Sequence, residues 1–133
     1  TEILAFFRLC RSPIGVGTPT FNQVAGITAW NDESHVQISR KQYAAKRQII
    51  GQALEFKGFE IHGGKHGFYF WISHPQIQSS DGLFDLFLNK NICTTPGTVF
   101  GKDGQGYIRI VYCIPWLECQ KLCDVIAELE IWS

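Results

Sequence analysis

The chain has 133 residues, of which 45% are hydrophobic, so it is long enough to form one domain around a hydrophobic core. Aromatic residues make up 14% of it, which excludes an intrinsically disordered chain. Twelve basic and twelve acidic side chains cancel, and this balance argues against a nucleic-acid partner, because such proteins carry excess positive charge. No apolar stretch reaches the roughly 18 residues that span a membrane, so we expect no membrane partner.

Charged residues make up only 18% of the chain, below the roughly 25% typical of soluble domains. The sequence also contains no methionine. These two features predict that other protein covers part of the surface, and that the chain is a fragment of a larger gene product.

The first part of the chain predicts helices. Thr1–Cys10 is apolar and typical of the end of a helix, whereas Ser12–Pro19 contains two prolines and two glycines that disfavour regular structure. Thr18 as the N-cap and Pro19 as the first helical residue are then expected to start a helix that runs over Thr20–Trp30.

A long helix is predicted next, over Glu33–Lys57, and Gly58 ends it. Its apolar stripe is narrow, which is typical of a surface or bridging helix. The remaining elements are short strands and two helices. The strands are Phe59–His62, Phe68–Ser73, Ile92–Thr94 and Tyr107–Cys113, and the helices are Asp81–Asn89 and a last one that opens at Pro115.

This order of elements predicts an α+β fold, an α/β sandwich with helices on a mixed or antiparallel sheet. The strand Phe68–Ser73 is a continuous aromatic run, which predicts that both of its faces are covered.

Arg109 is the residue that stands out, because it lies in an otherwise apolar strand. By alternation it shares a face with Tyr107 and Val111. An arginine there cannot lose its charge and needs a carboxylate or phosphate partner. Two interpretations follow from the pattern: a structural ion pair with an internal Asp or Glu, or a fork of N–H groups that holds the carboxylate of a small substrate.

The other candidate motifs predict no chemistry. Gly101–Gly106 is glycine-rich but leads into a strand rather than a helix, so we interpret it as a hairpin-like turn and not as a phosphate loop. The four histidines lack metal-ligand spacing, and the five scattered cysteines predict reduced thiols rather than a zinc site, in keeping with a cytoplasmic protein.

Several motifs together resemble the class I/II, fold-type I pyridoxal-phosphate aminotransferases. The run Cys93–Gly101 followed by Gly104–Ile110 resembles the C-terminal P-G-x-x-F-G…Y-x-R signature of that family. Gly67–Trp71 resembles its G-x-F-Y-x-W strand. The segments Gly17–Gln23 and Ala29–Asp32 resemble the part after its lysine region, and Tyr43, Lys46 and Arg47 match its long interdomain helix.

The resemblance implies that Thr1 to Trp30 (1–30) is the tail of a large cofactor domain and that 31–133 is the small C-terminal domain. It implies that Arg109 binds the substrate α-carboxylate, and that Thr18 contacts the cofactor phosphate across a homodimer, near an opening that Gly15 and Val16 line. The full-length enzyme is then expected to use pyridoxal 5′-phosphate and to exchange an amino group between an amino acid and a 2-oxo acid. The general look of Gly15–Asp32 favours a diaminopimelate-type substrate.

Two features depart from the family pattern. Gly63–His66 stands where the family usually has a proline before the aromatic strand. No lysine of the chain lies in the family's S-x-x-K context, so we expect no catalytic residue here, a Schiff-base lysine upstream, and an inactive fragment. The alternative from another class is a stand-alone α+β module that binds an acidic metabolite through Arg109 without catalysis.

Overall fold

The computed structural model describes residues 1–14, 17–63 and 66–131. Gly15, Val16, Gly64 and Lys65, on which part of the sequence interpretation depends, lie outside these described residues. The chain divides into two compact units, Thr1–Gln37 and Ile38–Ser133. The structural division therefore falls inside the long helix, whereas the sequence places it at residue 30. The assignment of the first unit to a large domain stays a prediction.

The first unit contains the helices α1 (Glu2–Ile14) and α2 (Thr20–Asn31) and the start of α3 (Ser34–Phe56). The prediction that Pro13 lies in irregular structure is wrong: α1 runs through it, because the fixed proline φ is helical and the helix ends one residue later. Thr18 as N-cap is also wrong, since Pro19 holds that position and no side chain caps α2. In the described part of the chain, α1 and α2 bury no side chain.

Helix α3 ends at Phe56, and Gly58 follows with a φ of +83°, a left-handed conformation that glycine adopts without strain. Its last turns belong to the core, because Ile50 and Leu54 are fully buried. The prediction of a surface or bridging helix is therefore wrong for this half of α3. The buried residues of α3 lie in its last turns, so the apolar stripe over the whole helix looks narrow.

The second unit is built on a four-stranded sheet in the order β1-β2-β4-β3, with every neighbouring pair antiparallel. Helices α4 (Ser80–Leu88) and α5 (Trp116–Ala127) complete the β-β-α-β-β-α order. This arrangement confirms the predicted α+β fold. The strands are β1 (Glu60–His62), β2 (Tyr69–Ser73), β3 (Thr95–Pro96) and β4 (Tyr107–Val111).

One face of the sheet forms the core. Phe70, Ile72, Ile108 and Ile110 point to this face and are buried together with side chains of α3, α4 and α5. The alternate residues of the same strands are exposed or half-buried. The prediction that the aromatic strand is covered on both faces is therefore wrong for the chain as the structure describes it.

The brief third strand lies at Thr95–Pro96 and not at Ile92–Thr94. Pairing decides this shift, because Thr95 lies opposite Arg109 and Pro96 opposite Ile108. Proline occurs here in an edge strand, which has a single neighbour and is where sheets tolerate proline.

Candidate substrate-carboxylate site

The open face of the sheet carries a row of side chains across all four strands. The antiparallel register places His62 opposite Trp71, Trp71 opposite Arg109, and Arg109 opposite Thr95. Residues at paired positions point to the same face, so Arg109 lies in the middle of this open face rather than in the core. The alternation of the strand sequence predicts this placement.

Arg109 is half-buried, and its Nε is fully buried. Among the described residues, Nε has no hydrogen-bond partner and no carboxylate forms an ion pair with the guanidinium. A charged group left in this state is unfavourable until an anion reaches it. Of the two interpretations open from the sequence, the internal ion pair is thus without support in the described chain.

Aromatic rings surround the guanidinium instead. Its Cζ lies 4.7 Å from the centroid of the Phe100 ring and 5.9 Å from that of Tyr69. Trp71 contacts Phe100 edge-on with centroids 5.6 Å apart, and it stacks on Tyr107 at 5.7 Å. The result is an aromatic wall that restricts Arg109 without using any of its N–H donors.

Polar groups extend this wall toward the edge strand β1. The His62 ring lies 5.0 Å from Tyr107, and its Nε2 is 2.7 Å from the hydroxyl of Ser73. That hydroxyl donates to Glu60 over 3.3 Å. An open cleft of about 330 Å³ adjoins, lined among others by His62, Trp71 and Phe100. Sequence reasoning placed Tyr107 on the face of Arg109 but missed Tyr69, Trp71 and Phe100, although alternation along the strand puts Tyr69 and Trp71 on one face.

The loop between β3 and β4 holds Phe100 in place. It consists of two short 3₁₀ turns, Gly97–Phe100 and Lys102–Gly104, which agrees with a turn rather than a phosphate loop. A Cβ on Gly97 would overlap the carbonyl oxygen of Gly104, and a Cβ on Gly104 would overlap the carbonyl oxygen of Gly97. Glycine is therefore required at both positions.

The start of α4 anchors the same loop. Ser80 is fully buried, and its hydroxyl donates to the Gly104 carbonyl over 2.9 Å. The hydroxyl oxygen of Ser80 also accepts the backbone N–H of Tyr107 over 3.3 Å. One buried hydroxyl therefore ties helix α4 to the loop and to the first residue of β4, two positions before Arg109.

Thr18 belongs to the first unit and is exposed. Its hydroxyl lies 3.4 Å from a terminal nitrogen of Arg11, and its carbonyl oxygen accepts from the Gln23 side chain over 2.7 Å. A hydroxyl beside a guanidinium is a pair of groups that suits a phosphate. The role expected of Thr18 stays a prediction, and Arg11 is a neighbour that sequence reasoning missed.

The lysines that the structure describes differ in contacts and exposure. Lys46 and Lys57 donate to the carbonyl oxygens of Ile114 and Leu129, and Lys121 pairs with Glu118 at 2.8 Å. Lys41, Lys90 and Lys102 are exposed, as is Lys121. Within residues 1–14, 17–63 and 66–131, no cluster of metal-ligating side chains and no helix able to cross a membrane is found.

Comparison with known proteins identifies the family. Residues 1–126 match the family described as aminotransferase class I and II. The chain belongs to this family. Its relatives include LL-diaminopimelate aminotransferases from Chlamydia pneumoniae, 37% identical over 86 residues, and from Aquifex aeolicus, 34% identical over 111 residues. These matches cover 61% and 82% of the chain but only 22% and 29% of the relatives, so the chain spans less than a third of their length.

Solved structures agree with the fold. An aminotransferase from Neisseria meningitidis superposes with a TM-score of 0.85 at 27% identity, over 97% of this chain and 34% of that one. LysN, an α-aminoadipate aminotransferase from Thermus thermophilus, has the same fold with a TM-score of 0.69 at 23% identity, over 96% and 34%. That structure is complexed with a phosphopyridoxyl–leucine adduct. Family membership makes pyridoxal 5′-phosphate the cofactor of the full-length aminotransferase.

Proposed function

We propose that the full-length protein transfers an amino group between an amino acid and a 2-oxo acid, and that Arg109 binds the substrate α-carboxylate. The Nε of Arg109, buried on the open sheet face and without a hydrogen-bond partner among the described residues, is the observation that carries this proposal. A planar guanidinium matches a carboxylate in two parallel hydrogen bonds, and such charge-assisted bonds are stronger than neutral ones.

The cofactor supplies the electron-withdrawing chemistry of amino transfer when it is bound. The residues of this chain bind the substrate and orient it. Arg109 fixes one end of the amino acid, which restricts rotation of the reacting carbon. The aromatic wall of Tyr69, Trp71 and Phe100 removes water from one side of the guanidinium, so its attraction for a carboxylate is less screened.

The substrate proposed for the full-length enzyme is LL-diaminopimelate. Its support is the set of LL-diaminopimelate aminotransferases among the relatives, of which the Aquifex aeolicus protein matches over 82% of this chain. The stand-alone binding module is not favoured, because the family match extends over residues 1–126.

Three further parts of the proposal concern the whole protein. The Schiff-base lysine lies outside this chain, because no lysine of the chain lies in the family's S-x-x-K context. Thr18 contacts the cofactor phosphate across a homodimer in which a large domain completes the site. The enzyme is cytoplasmic.

An activity assay of the full-length protein tests the proposal. We expect the pyridoxal-phosphate-loaded enzyme to convert a 2-oxo acid to its amino acid with LL-diaminopimelate as donor, and to prefer this donor to monocarboxylic amino acids. The 133-residue chain alone should give no stoichiometric, site-specific absorption band with pyridoxal phosphate. Equal rates with unrelated donors would refute the substrate, and a stoichiometric band would refute the placement of the lysine.

A further inference from the structure

Phe100 is an exposed aromatic side chain beside a charged group. It is 53% exposed at the end of the 3₁₀ turn Gly97–Phe100, yet its ring lies 4.7 Å from the guanidinium carbon of Arg109. Phe100 is not part of the buried core of the described residues. Its ring lies beside a cation, and the face of an aromatic ring attracts a positive charge.

We propose that Phe100 is a positioning residue that holds the Arg109 guanidinium ready for a carboxylate. This inference rests on the proposed role of Arg109. An internal Asp or Glu would also hold the guanidinium in place, but it would occupy the N–H groups that the substrate needs. A ring attracts the charge and leaves every N–H donor free.

Neighbouring residues restrict the position of the Phe100 ring. Trp71 meets it edge-on at 5.6 Å, and Trp71 is in turn stacked on Tyr107. The backbone on both sides of Phe100 is fixed by the close approach of Gly97 and Gly104 and by the hydrogen bond from Ser80 to Gly104. A preorganised ring reduces the freedom that Arg109 loses when the carboxylate binds.

Binding of two probes to the full-length, cofactor-loaded enzyme tests the inference. Pimelate has both carboxylates of diaminopimelate and neither amine, whereas 1,5-diaminopentane has both amines and neither carboxylate. We expect Phe100→Leu to weaken pimelate binding by roughly 3- to 30-fold, the range of one cation–π contact, and to leave 1,5-diaminopentane binding unchanged. Calorimetric titration measures both dissociation constants.

Matched variants separate positioning from general damage. Phe100→Trp supplies a stronger cation–π partner and should bind pimelate within about threefold of the wild type. Val99→Ala changes the adjacent exposed residue and should have no effect. Equal weakening of both probes by Phe100→Leu, or equal weakening of pimelate by Phe100→Leu and Phe100→Trp, would overturn the inference.

Arg109→Ala distinguishes this inference from the function on which it rests. If Arg109→Ala weakens pimelate binding and Phe100→Leu does not, Phe100 has no positioning role and the proposed role of Arg109 stands. If Arg109→Ala leaves pimelate binding unchanged, the proposed role of Arg109 fails, and the inference fails with it.

Discussion

Two adjacent serines at the start of α4 give a sharp test of how the site is supported. Ser80 is fully buried and bonds both the Gly104 carbonyl and the Tyr107 N–H. Ser79 is exposed, and its hydroxyl accepts the N–H of Gly82 over 3.2 Å as the helix cap. The two serines differ in burial and in the number of groups that they satisfy, whereas the substitution to alanine is the same.

The expected magnitudes follow from these contacts. Ser80→Ala leaves the Gly104 carbonyl and the Tyr107 N–H without their hydroxyl partner, and each unsatisfied group costs about 1–3 kcal/mol of unfolding free energy. Because the bond to Tyr107 is the longer of the two, we expect a total loss of about 2–4 kcal/mol. Ser79→Ala removes an exposed cap, which costs about 1 kcal/mol.

Equilibrium urea unfolding of the full-length enzyme checks both values. Ser80→Ala should lower the free energy of unfolding by at least twice as much as Ser79→Ala. It should also weaken pimelate binding, since the loop that carries Phe100 loses its anchor. An equal cost for the two variants, or a larger cost for Ser79→Ala, would refute the anchoring role of Ser80.

Two further predictions concern glycine packing and pH. Gly104→Ala should destabilise the protein by more than about 2 kcal/mol in the same unfolding assay, because the added Cβ would overlap the carbonyl of Gly97. Gly26→Ala is the control: a Cβ there meets nothing within 4 Å, so this variant should be neutral or stabilising by up to about 1 kcal/mol. Hydrogen bonds from Ser34 and then from His35 lower the pKa of Asp32 to about 2, so its stabilising contribution is present above pH 3.8 and is lost as the pH falls toward 2. NMR titration of Asp32 should show this low pKa, and Ser34→Ala should raise it. A pKa near 3.8 in the unsubstituted protein would contradict these hydrogen bonds from Ser34 and His35.

Strand alternation predicts the placement of Arg109 on the open face of the sheet, whereas its role stays a prediction. A charge in an apolar strand needs a partner, and alternation gives the face on which the partner must be. The sequence predicts Phe100 poorly, because the ring reaches Arg109 only through the contact between Gly97 and Gly104 in a loop without periodicity. The arrangement of that loop is a tertiary property.

The errors in the fold have the same origin. Strand β3 shifts to Thr95–Pro96 because pairing with Arg109 and Ile108 outweighs the local preference of the preceding residues. The last turns of α3 are buried because a sheet that is distant in sequence packs on Ile50, which the stripe of the helix alone does not reveal. Element types thus followed from local pattern, whereas burial depended on long-range partners.

The role of Arg109 is the central claim, and the specificity constant of the full-length enzyme tests it most directly. We expect Arg109→Ala to reduce kcat/KM for LL-diaminopimelate by at least roughly 30-fold, corresponding to the loss of about 2 kcal/mol or more of charge-assisted hydrogen bonding. Arg109→Lys keeps the charge and loses the planar fork, so its kcat/KM should lie between those of Arg109→Ala and the wild type. An unchanged kcat/KM in Arg109→Ala would contradict the account.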